Sequence, residues 1–521
     1  MWVDAPGITF RPSTNSGRFT VEVMPTAGVG PHFVRLHNEE GASGPRFLVV
    51  TRAPQRDEQE PNDDFRAPQR MENCPVSING RLEKGGDVDS YAVWLEAGQT
   101  AVAQVDAYVL ASPLDAVLRV VDDQGRQLAL NHDDGRTLDP FLAFTPPTAG
   151  LYVIQVFGFP YPATSDVRFA GNASCVYRLH LFKGPYARHA LPLGVGRGQK
   201  SPMTLVGWNL QKRGADGATN ASTPPLPFDG TTLASEHNQA MWQPDRIENT
   251  LVLPVGDGSE RLELEPNDDA AHLPRAPGLD VPGAVTGCIN QPGDVDRYRF
   301  TAKKGENLAC QLQAASLGFP LDAWLRVEDD HGKELKKAEG GNGTDPSLEW
   351  AAPTNGTFVL AVGNLLHRGG PDYFYRLSVQ PPRPAVRATI AANAFSVEAG
   401  KTNEVKFNVK LLHGVKGRFV ASVQGLPDGV QAGPADVPEK GGDVTLKLVA
   451  APDAKKSSGP MQIVLKDTET GREERVRAEL VTSGVDNGVP NGFSRLLLEF
   501  VEDLWLTVLP AKPAGVAASA K

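Results

Sequence analysis

No Gly-x-Ser-x-Gly and no His-Glu-x-x-His occurs in the 521 residues, so neither a nucleophile elbow nor a two-histidine zinc helix is available to a peptidase. Ser174 beside Cys175 and His132 beside Asp133 are isolated pairs of the kind that surface loops and strands carry, and the chain reads as non-catalytic. Cysteine is scarce. Cys74, Cys175, Cys288 and Cys310 show no Cys-x-x-Cys spacing, which excludes the usual zinc and thioredoxin-type patterns. One disulfide in each half of an exported chain and four buried thiols are both compatible with these positions. Positive charge is not in excess: Lys and Arg number 52 against 62 Asp and Glu, for a net charge of -10 and a pI near 5.6. A nucleic-acid partner, which needs a basic face, is thereby disfavoured. Long apolar runs are missing too. The greasiest stretch, Leu496 to Leu509, is interrupted by Glu499, Glu502 and Asp503, short of the roughly 20 apolar residues that cross a bilayer. The opening Met1-Trp2-Val3-Asp4-Ala5-Pro6 has neither the basic nor the apolar region of a signal peptide.

Helical spacing of apolar residues is not sustained anywhere. Gly (53) and Pro (43) make up roughly 18% of the chain, against about 12% in average proteins. They punctuate short runs rich in Val, Leu, Phe and Thr, the pattern of many short strands joined by tight turns. An all-β chain of several antiparallel β-sandwiches is the expected fold class.

The most informative stretch is Glu58-Gln59-Glu60-Pro61-Asn62-Asp63-Asp64, which returns as Glu263-Leu264-Glu265-Pro266-Asn267-Asp268-Asp269. Pro61 keeps Glu60 extended, which predicts Glu58 and Glu60 on one face of a strand. The match continues in order. Gly86-Asp87-Val88-Asp89-Ser90-Tyr91 answers to Gly293-Asp294-Val295-Asp296-Arg297-Tyr298, and Leu114-Asp115-Ala116-Val117-Leu118-Arg119-Val120 to Leu321-Asp322-Ala323-Trp324-Leu325-Arg326-Val327. Asp139-Pro140 and Asp345-Pro346 follow, then Tyr177-Arg178-Leu179 and Tyr375-Arg376-Leu377. One domain is written twice. In the second copy Asp296, Tyr298 and Phe300 fall on one face of a strand, with the aromatics running inward. Asp122-Asp123 and Asp329-Asp330 precede glycines at hairpin corners, where Asp serves turn chemistry. Asn131, Asp133 and Asp134 read as a turn, since Ala338 to Asn342 retains a single acid, Glu339.

Each large module is preceded by a smaller one. Strands are expected at Phe19 to Val23, Phe33 to Leu36 and Pro45 to Val50, and again at Leu191 to Leu193, Met203 to Val206 and Asn249 to Val255. With a unit of about 205 residues, Met1 corresponds to a position near Val206, so the chain is expected to begin partway through a domain, with a start and a signal peptide upstream. After Arg383 the alternating runs around Phe395, Phe407, Leu446 and Ile463 predict a third kind of sandwich, and Ala511 to Lys521 reads as a disordered tail. The expected division is 1–52, partial small module; 56–183, first large module; 184–258, small module; 260–381, second large module; 385–485, final sandwich; 486–521, terminal strand and tail.

The Glu-x-Glu-Pro-Asn-Asp, Gly-Asp-Val-Asp-x-Tyr and Leu-Asp-Ala-x-Leu-Arg-Val runs resemble the bacterial pre-peptidase C-terminal (PPC) domain, over Arg56 to Lys183 and Glu260 to Pro381. That family is a jelly-roll-like sandwich found beside secreted peptidases, and in collagenases it binds collagen. The resemblance implies one calcium ion per copy, held by Glu58, Glu60, Asn62, Asp63, Asp87 and Asp89 in the first and by Glu263, Glu265, Asn267, Asp268, Asp294 and Asp296 in the second. An oxygen-only donor set suits calcium, which takes six to eight oxygens; acidic residues beside Pro and Asn are also what a solvated linker uses. The small modules resemble immunoglobulin-like IPT/TIG sandwiches through Gly198 and Gly207-Trp208-Asn209-Leu210. Gly425-Leu426-Pro427-Asp428-Gly429-Val430 gives the final module its likeness to bacterial immunoglobulin-like domains. Two function classes follow, both extracytoplasmic, whether secreted, periplasmic or at the cell surface: a calcium-binding adhesion protein that holds an extracellular protein or polysaccharide polymer, and a calcium-stiffened spacer or accessory region of a secreted peptidase. Exposed aromatics gathered on one sandwich face would favour the first.

Overall fold

A computed structural model describes residues 1–133, 138–160, 168–210, 222–233, 238–268, 278–341, 344–481 and 497–511. Asp134, Asp269 and Asn342, all named above, lie outside them, as does most of the expected tail. Among the described residues the regular structure is strand, with short 3-10 turns and no α-helix. The chain forms two compact units, residues 53–382 and residues 1–52 with 383–521.

In the first of these units, each large module is two sheets packed face to face. The first module has one sheet in the order Phe141–Phe144, Ala101–Asp106, Val176–Phe182, Val76–Arg81, Gln55–Asp57. The other runs Gln127–Asn131, Leu114–Val121, Gly150–Pro160, Asp89–Leu95, Gln69–Arg70. Alternation along the strands decides which side chains meet between them. Ile78, Tyr91, Val93, Leu118, Val120, Ile154, Tyr177 and Leu179 form one buried cluster. The second module repeats the arrangement with Ser259–Leu262 as its edge strand and a core that includes Leu308, Leu325, Leu360, Tyr375 and Leu377. The expected inward face is present: Asp296, Tyr298 and Phe300 are all buried.

Two details of the repeat are explained by backbone hydrogen bonds. Asp139 Oδ1 accepts from the N–H groups of Ala107 and Tyr108, and its Oδ2 from Val109. Asp345 does the same for Ala314, Ala315 and Ser316. The repeated Asp-Pro therefore ties down the 3-10 turns Tyr108–Leu110 and Ala315–Leu317, whose N–H groups have no partner of their own within so short a helix. At the hairpin corners Asp122 Oδ1 accepts from Gln124 and Arg126, and Asp329 Oδ1 from His331 and Lys333. This is the turn chemistry anticipated from the sequence.

Between the large modules, residues 184–258 form two three-stranded sheets, Tyr186–Leu191, Lys200–Trp208, Leu226–Asp229 and Val195–Gly196, Leu251–Gly256, Gln239–Trp242. Their small core includes Met203, Leu205, Phe228 and Leu253. Both large modules grip this one. Asn209 donates to the carbonyls of Thr100 and Gly184 and accepts from Thr100 N–H, while Leu193 N–H donates to Thr286 Oγ1 and its side chain joins the second large core.

The other unit holds the final sandwich, whose sheets include Leu497–Val501 beside Arg477–Val481 and Leu504–Leu509 between Ala394–Glu398 and Ser457–Asp467. The final sandwich thus continues to residue 509. Its core also takes in Phe33, with Trp2 and Phe47 packed against it, and the buried Arg35 donates to Asn393 Oδ1 at 3.2 Å. The first 52 residues contribute apolar cover to the last module, an association the linear order of modules does not suggest.

Candidate metal centres

In each large module the edge strand stops just before the acidic run, at Asp57 and at Leu262. Glu58 and Glu60 therefore do not share a strand face, as the sequence led us to expect. Past the first strand the chain arcs from the edge of one sheet to the edge of the other, where Gln69–Arg70 pairs with Asp89–Leu95. Beneath the arc the Gly86-Asp87-Val88-Asp89 turn enters that second sheet. Gly86 and Gly293 take φ of +92° and +84°, a region open to glycine at no steric cost.

Glu60, Asp63, Asp87 and Asp89 each place a carboxylate oxygen within 4.8 Å of the others. Glu265, Asp268, Asp294 and Asp296 do the same. In both groups the first two are exposed and the Gly-Asp-Val-Asp pair is buried. Asn62 and Asn267 are buried beside them, their N–H groups bonded to Glu60 Oε2 at 3.0 Å and to Glu265 Oε2 at 2.8 Å. One oxygen of each buried Asp is already taken. Asp87 Oδ2 accepts from Glu83 N–H at 2.5 Å and Asp294 Oδ2 from Asn290 N–H at 2.7 Å. Asp89 Oδ2 accepts from the Tyr177 hydroxyl, and Asp296 Oδ2 from Tyr375 at 2.5 Å.

The remaining oxygens are the informative ones. Asn62 Oδ1, Asp87 Oδ1, Asp89 Oδ1, Asn267 Oδ1, Asp294 Oδ1 and Asp296 Oδ1 are buried without a hydrogen-bond partner among the described residues. Orphaned buried polar atoms are rare and costly. Their recurrence at three equivalent positions in two copies is a built feature; beside them the amide nitrogens Asn62 Nδ2 and Asn267 Nδ2, which do not ligate cations, are likewise buried without a partner among the described residues.

Glu58 and Glu263 stand apart. Glu58 Oε2 accepts from Arg81 N–H at 2.7 Å and from Tyr177. Glu263 Oε1 accepts from Cys288 N–H at 2.8 Å and its Oε2 from the Tyr298 hydroxyl at 3.1 Å. Both glutamates lean on a tyrosine pair, Tyr91 with Tyr177 at 2.6 Å and Tyr298 with Tyr375 at 2.7 Å. Through that pair each reaches the buried Asp, so these two glutamates hold the wall of the site. Glycine makes room for the arrangement: a Cβ on Gly80 would lie 2.2 Å from the Tyr177 ring and 2.7 Å from Glu58 Oε2, and one on Gly287 2.3 Å from the Tyr375 oxygen. The tyrosines were visible in the repeated motifs, but nothing in the sequence assigned them this part.

Crowding and burial show in the acidities. Burial, with the charges of Glu58, Asp87 and Glu60 behind it, pushes the Asp89 carboxyl up to about 9; Asp296 is pushed up to about 9 by burial and by Glu263. Asp87 and Asp294 rise to about 6, again mainly through burial. Glu263 rises to about 7 by burial and the nearby Glu265. Asp63 moves the other way, held down by a hydrogen bond shared with Asp87 and by Lys84.

Other candidates are weaker. His132 Nε2 meets Asp115 Oδ1 at 3.0 Å and its Nδ1 lies 3.8 Å from Asp133 Oδ2, a contact the sequence had offered as a bare neighbour pair. A cavity of about 330 Å3, lined in part by Asn131, Arg188, Leu251 and Phe319, shares no residue with either carboxylate group. All four cysteines are free thiols. Burial pushes Cys74 up to about 11 and Cys288 and Cys310 up to about 12, far from a reactive thiolate.

Fold and geometry together define an all-β chain of sandwiches carrying two equivalent, oxygen-lined candidate cation sites. No family model matches the chain. Over 87 residues it is 34% identical to a probable subtilase-type serine protease of Deinococcus radiodurans, a stretch covering 16% of this chain and 12% of that protein. The chain thus spans a small part of that relative's length. No helix among the described residues is long and apolar enough to cross a membrane.

Proposed function

We propose that residues 53–382 are a non-catalytic, calcium-binding accessory region of an extracytoplasmic protein, of the kind that accompanies a secreted peptidase. The calcium reading is carried by the six orphaned oxygens. A cation ringed by Glu60, Asn62, Asp63, Asp87 and Asp89, and its twin at Glu265, Asn267, Asp268, Asp294 and Asp296, would satisfy them and offset the repulsion among four carboxylates. No nitrogen or sulfur ligand is offered, which suits a hard cation with flexible oxygen coordination. Within each site the protein's part is to pre-position the ligands: the tyrosine pair fixes one Asp, a backbone N–H the other. The extracytoplasmic assignment is supported by the stretch shared with the subtilase-type protease.

Partner holding has a narrower footing. Trp94 is 54% exposed and Phe169 45%. They flank the outer face of the Gly150–Pro160 sheet, Trp94 opposite Leu151 and Phe169 against Phe157 and Phe159. The first large module is therefore the place to look for contact with an extracellular protein or polysaccharide polymer.

The test is a thermal melt of the full chain in chelator and in calcium. Saturation to one hundred times the dissociation constant stabilises the folded state by about 2.7 kcal/mol. A melting temperature indifferent to millimolar calcium would overturn the assignment. Asp87→Ala and Asp294→Ala should each remove one of two increments.

A further inference from the structure

The two sites are near copies in their ligands but not in what surrounds them. At the first, Lys84 Nζ lies 3.0 Å from Asp63 Oδ2. The equivalent position in the second copy is Gln291: Asp87 N–H donates to the Lys84 carbonyl and Asp294 N–H to the Gln291 carbonyl, in the same turn. At the second site Asn290 Nδ2 instead donates to Glu265 Oε1 at 3.0 Å. That donor is neutral, and its own carbonyl oxygen can turn toward an ion. Arg297, which touches the second site, holds the Asp268 carbonyl and is matched by Glu328, a buried carboxylate 3.4 Å away. Lys84 is matched by a candidate ligand itself.

A cation entering the first site must therefore either displace an ammonium from Asp63 or share the carboxylate with it. The second site imposes neither demand. We infer that the two sites take calcium unequally, the second filling first and the first held to weaker binding by Lys84. This rests on the calcium reading above. A unit charge about 6 Å from a divalent ion in a water-like medium lowers affinity about tenfold. Lys84 and Asp63 have side chains 67% and 42% exposed, so the water-like value is the appropriate one, and the effect shrinks as salt screens it.

Calorimetric titration of the full chain with calcium chloride at low ionic strength reads this directly. The expected isotherm has two steps about tenfold apart that converge near 1 M potassium chloride. Lys84→Gln, an exposed neutralising change, should merge the steps by strengthening the weaker one about tenfold. Gln291→Lys should merge them the other way, by weakening the stronger. Two ions bound with one constant in the wild type, or two steps left apart by Lys84→Gln, would overturn the inference while leaving calcium binding intact. Absence of binding at either site would overturn both.

Discussion

Arg376 of the second large module is gripped at both ends. Its Nε lies 3.2 and 3.1 Å from the two oxygens of Glu260, its Nη2 bonds the same carboxylate, and its Nη1 donates to Gln313 Oε1 at 2.8 Å. The pair is 5% and 1% exposed, and glycine at 194 and 256 leaves room for it against the small module. In the first copy the same three places carry Arg178, Gln55 and Asp106: Gln55 lies beside Ser77 and Glu260 beside Ala284, three residues before Gly80 and Gly287, and Asp106 and Gln313 lie in register with the two arginines. Amide and carboxylate have exchanged sides around a retained arginine. Glu260→Gln should thus leave Arg376 buried without its counter-charge. Removing one partner of a buried pair costs about 3–5 kcal/mol, and because glutamine keeps one acceptor we expect the lower end. Adding Gln313→Asp returns a counter-charge on the side where the first copy carries Asp106 and should restore stability to within about 1 kcal/mol of wild type, a coupling larger than independent sites show. Urea unfolding followed through the fluorescence of Trp324 and Trp350, both in this module, gives the midpoints. If Glu260→Gln falls within about 0.5 kcal/mol of wild type, the change behaves as a surface substitution. That result, or a double variant no more stable than the single one, refutes the reasoning.

Two further outcomes follow from the candidate metal centres. Asp89 and Asp296 have folded pKa values raised to about 9, whereas an unfolded Asp titrates near about 3.9. The folded state then holds more protons across that interval, and stability falls as pH rises through it. In chelator the melting temperature should decline from pH 5 to pH 9; in calcium, whose binding releases those protons, the decline should flatten or reverse. A melting temperature that climbs with pH in chelator would contradict this. Gly80→Ala places a methyl group into the Tyr177 ring and Glu58, and overpacking of that kind costs about 1–3 kcal/mol. Its calcium-dependent increment should shrink as well, since Tyr177 fixes Asp89, whereas an alanine tolerated in both respects would separate the tyrosine pair from the site.

The sequence exposed what is local or repeated. Alternation placed Asp296, Tyr298 and Phe300 on one face, and the acid-Gly corners at Asp122 and Asp329 identified their turns. The four-carboxylate groups were legible because two acidic clusters recur together. Glu58 and Glu263 were grouped with them, for spacing carries no information about which backbone N–H a side chain will meet. Arg81 and Cys288, 23 and 25 residues downstream, are what capture these glutamates. The place of residues 1–52 was hidden for a related reason. A period of two says that Phe33 needs cover, not which sheet supplies it.

The strand pairing of the large modules has a mechanical consequence. In the first, Gln55 lies beside Ser77, and the departing Leu181 beside Val76; in the second, Ser259 and Val379 both lie beside Gly283. Chain entry and exit are adjacent at one end of the sheet, while the carboxylates sit at the other, beyond Arg81 and Cys288. Each large module hangs from the chain as a pendant, not as a link in it. Tension applied along the polypeptide would pass by the root of the sandwich and leave the distal carboxylates unloaded, free to engage whatever lies farthest from the tether.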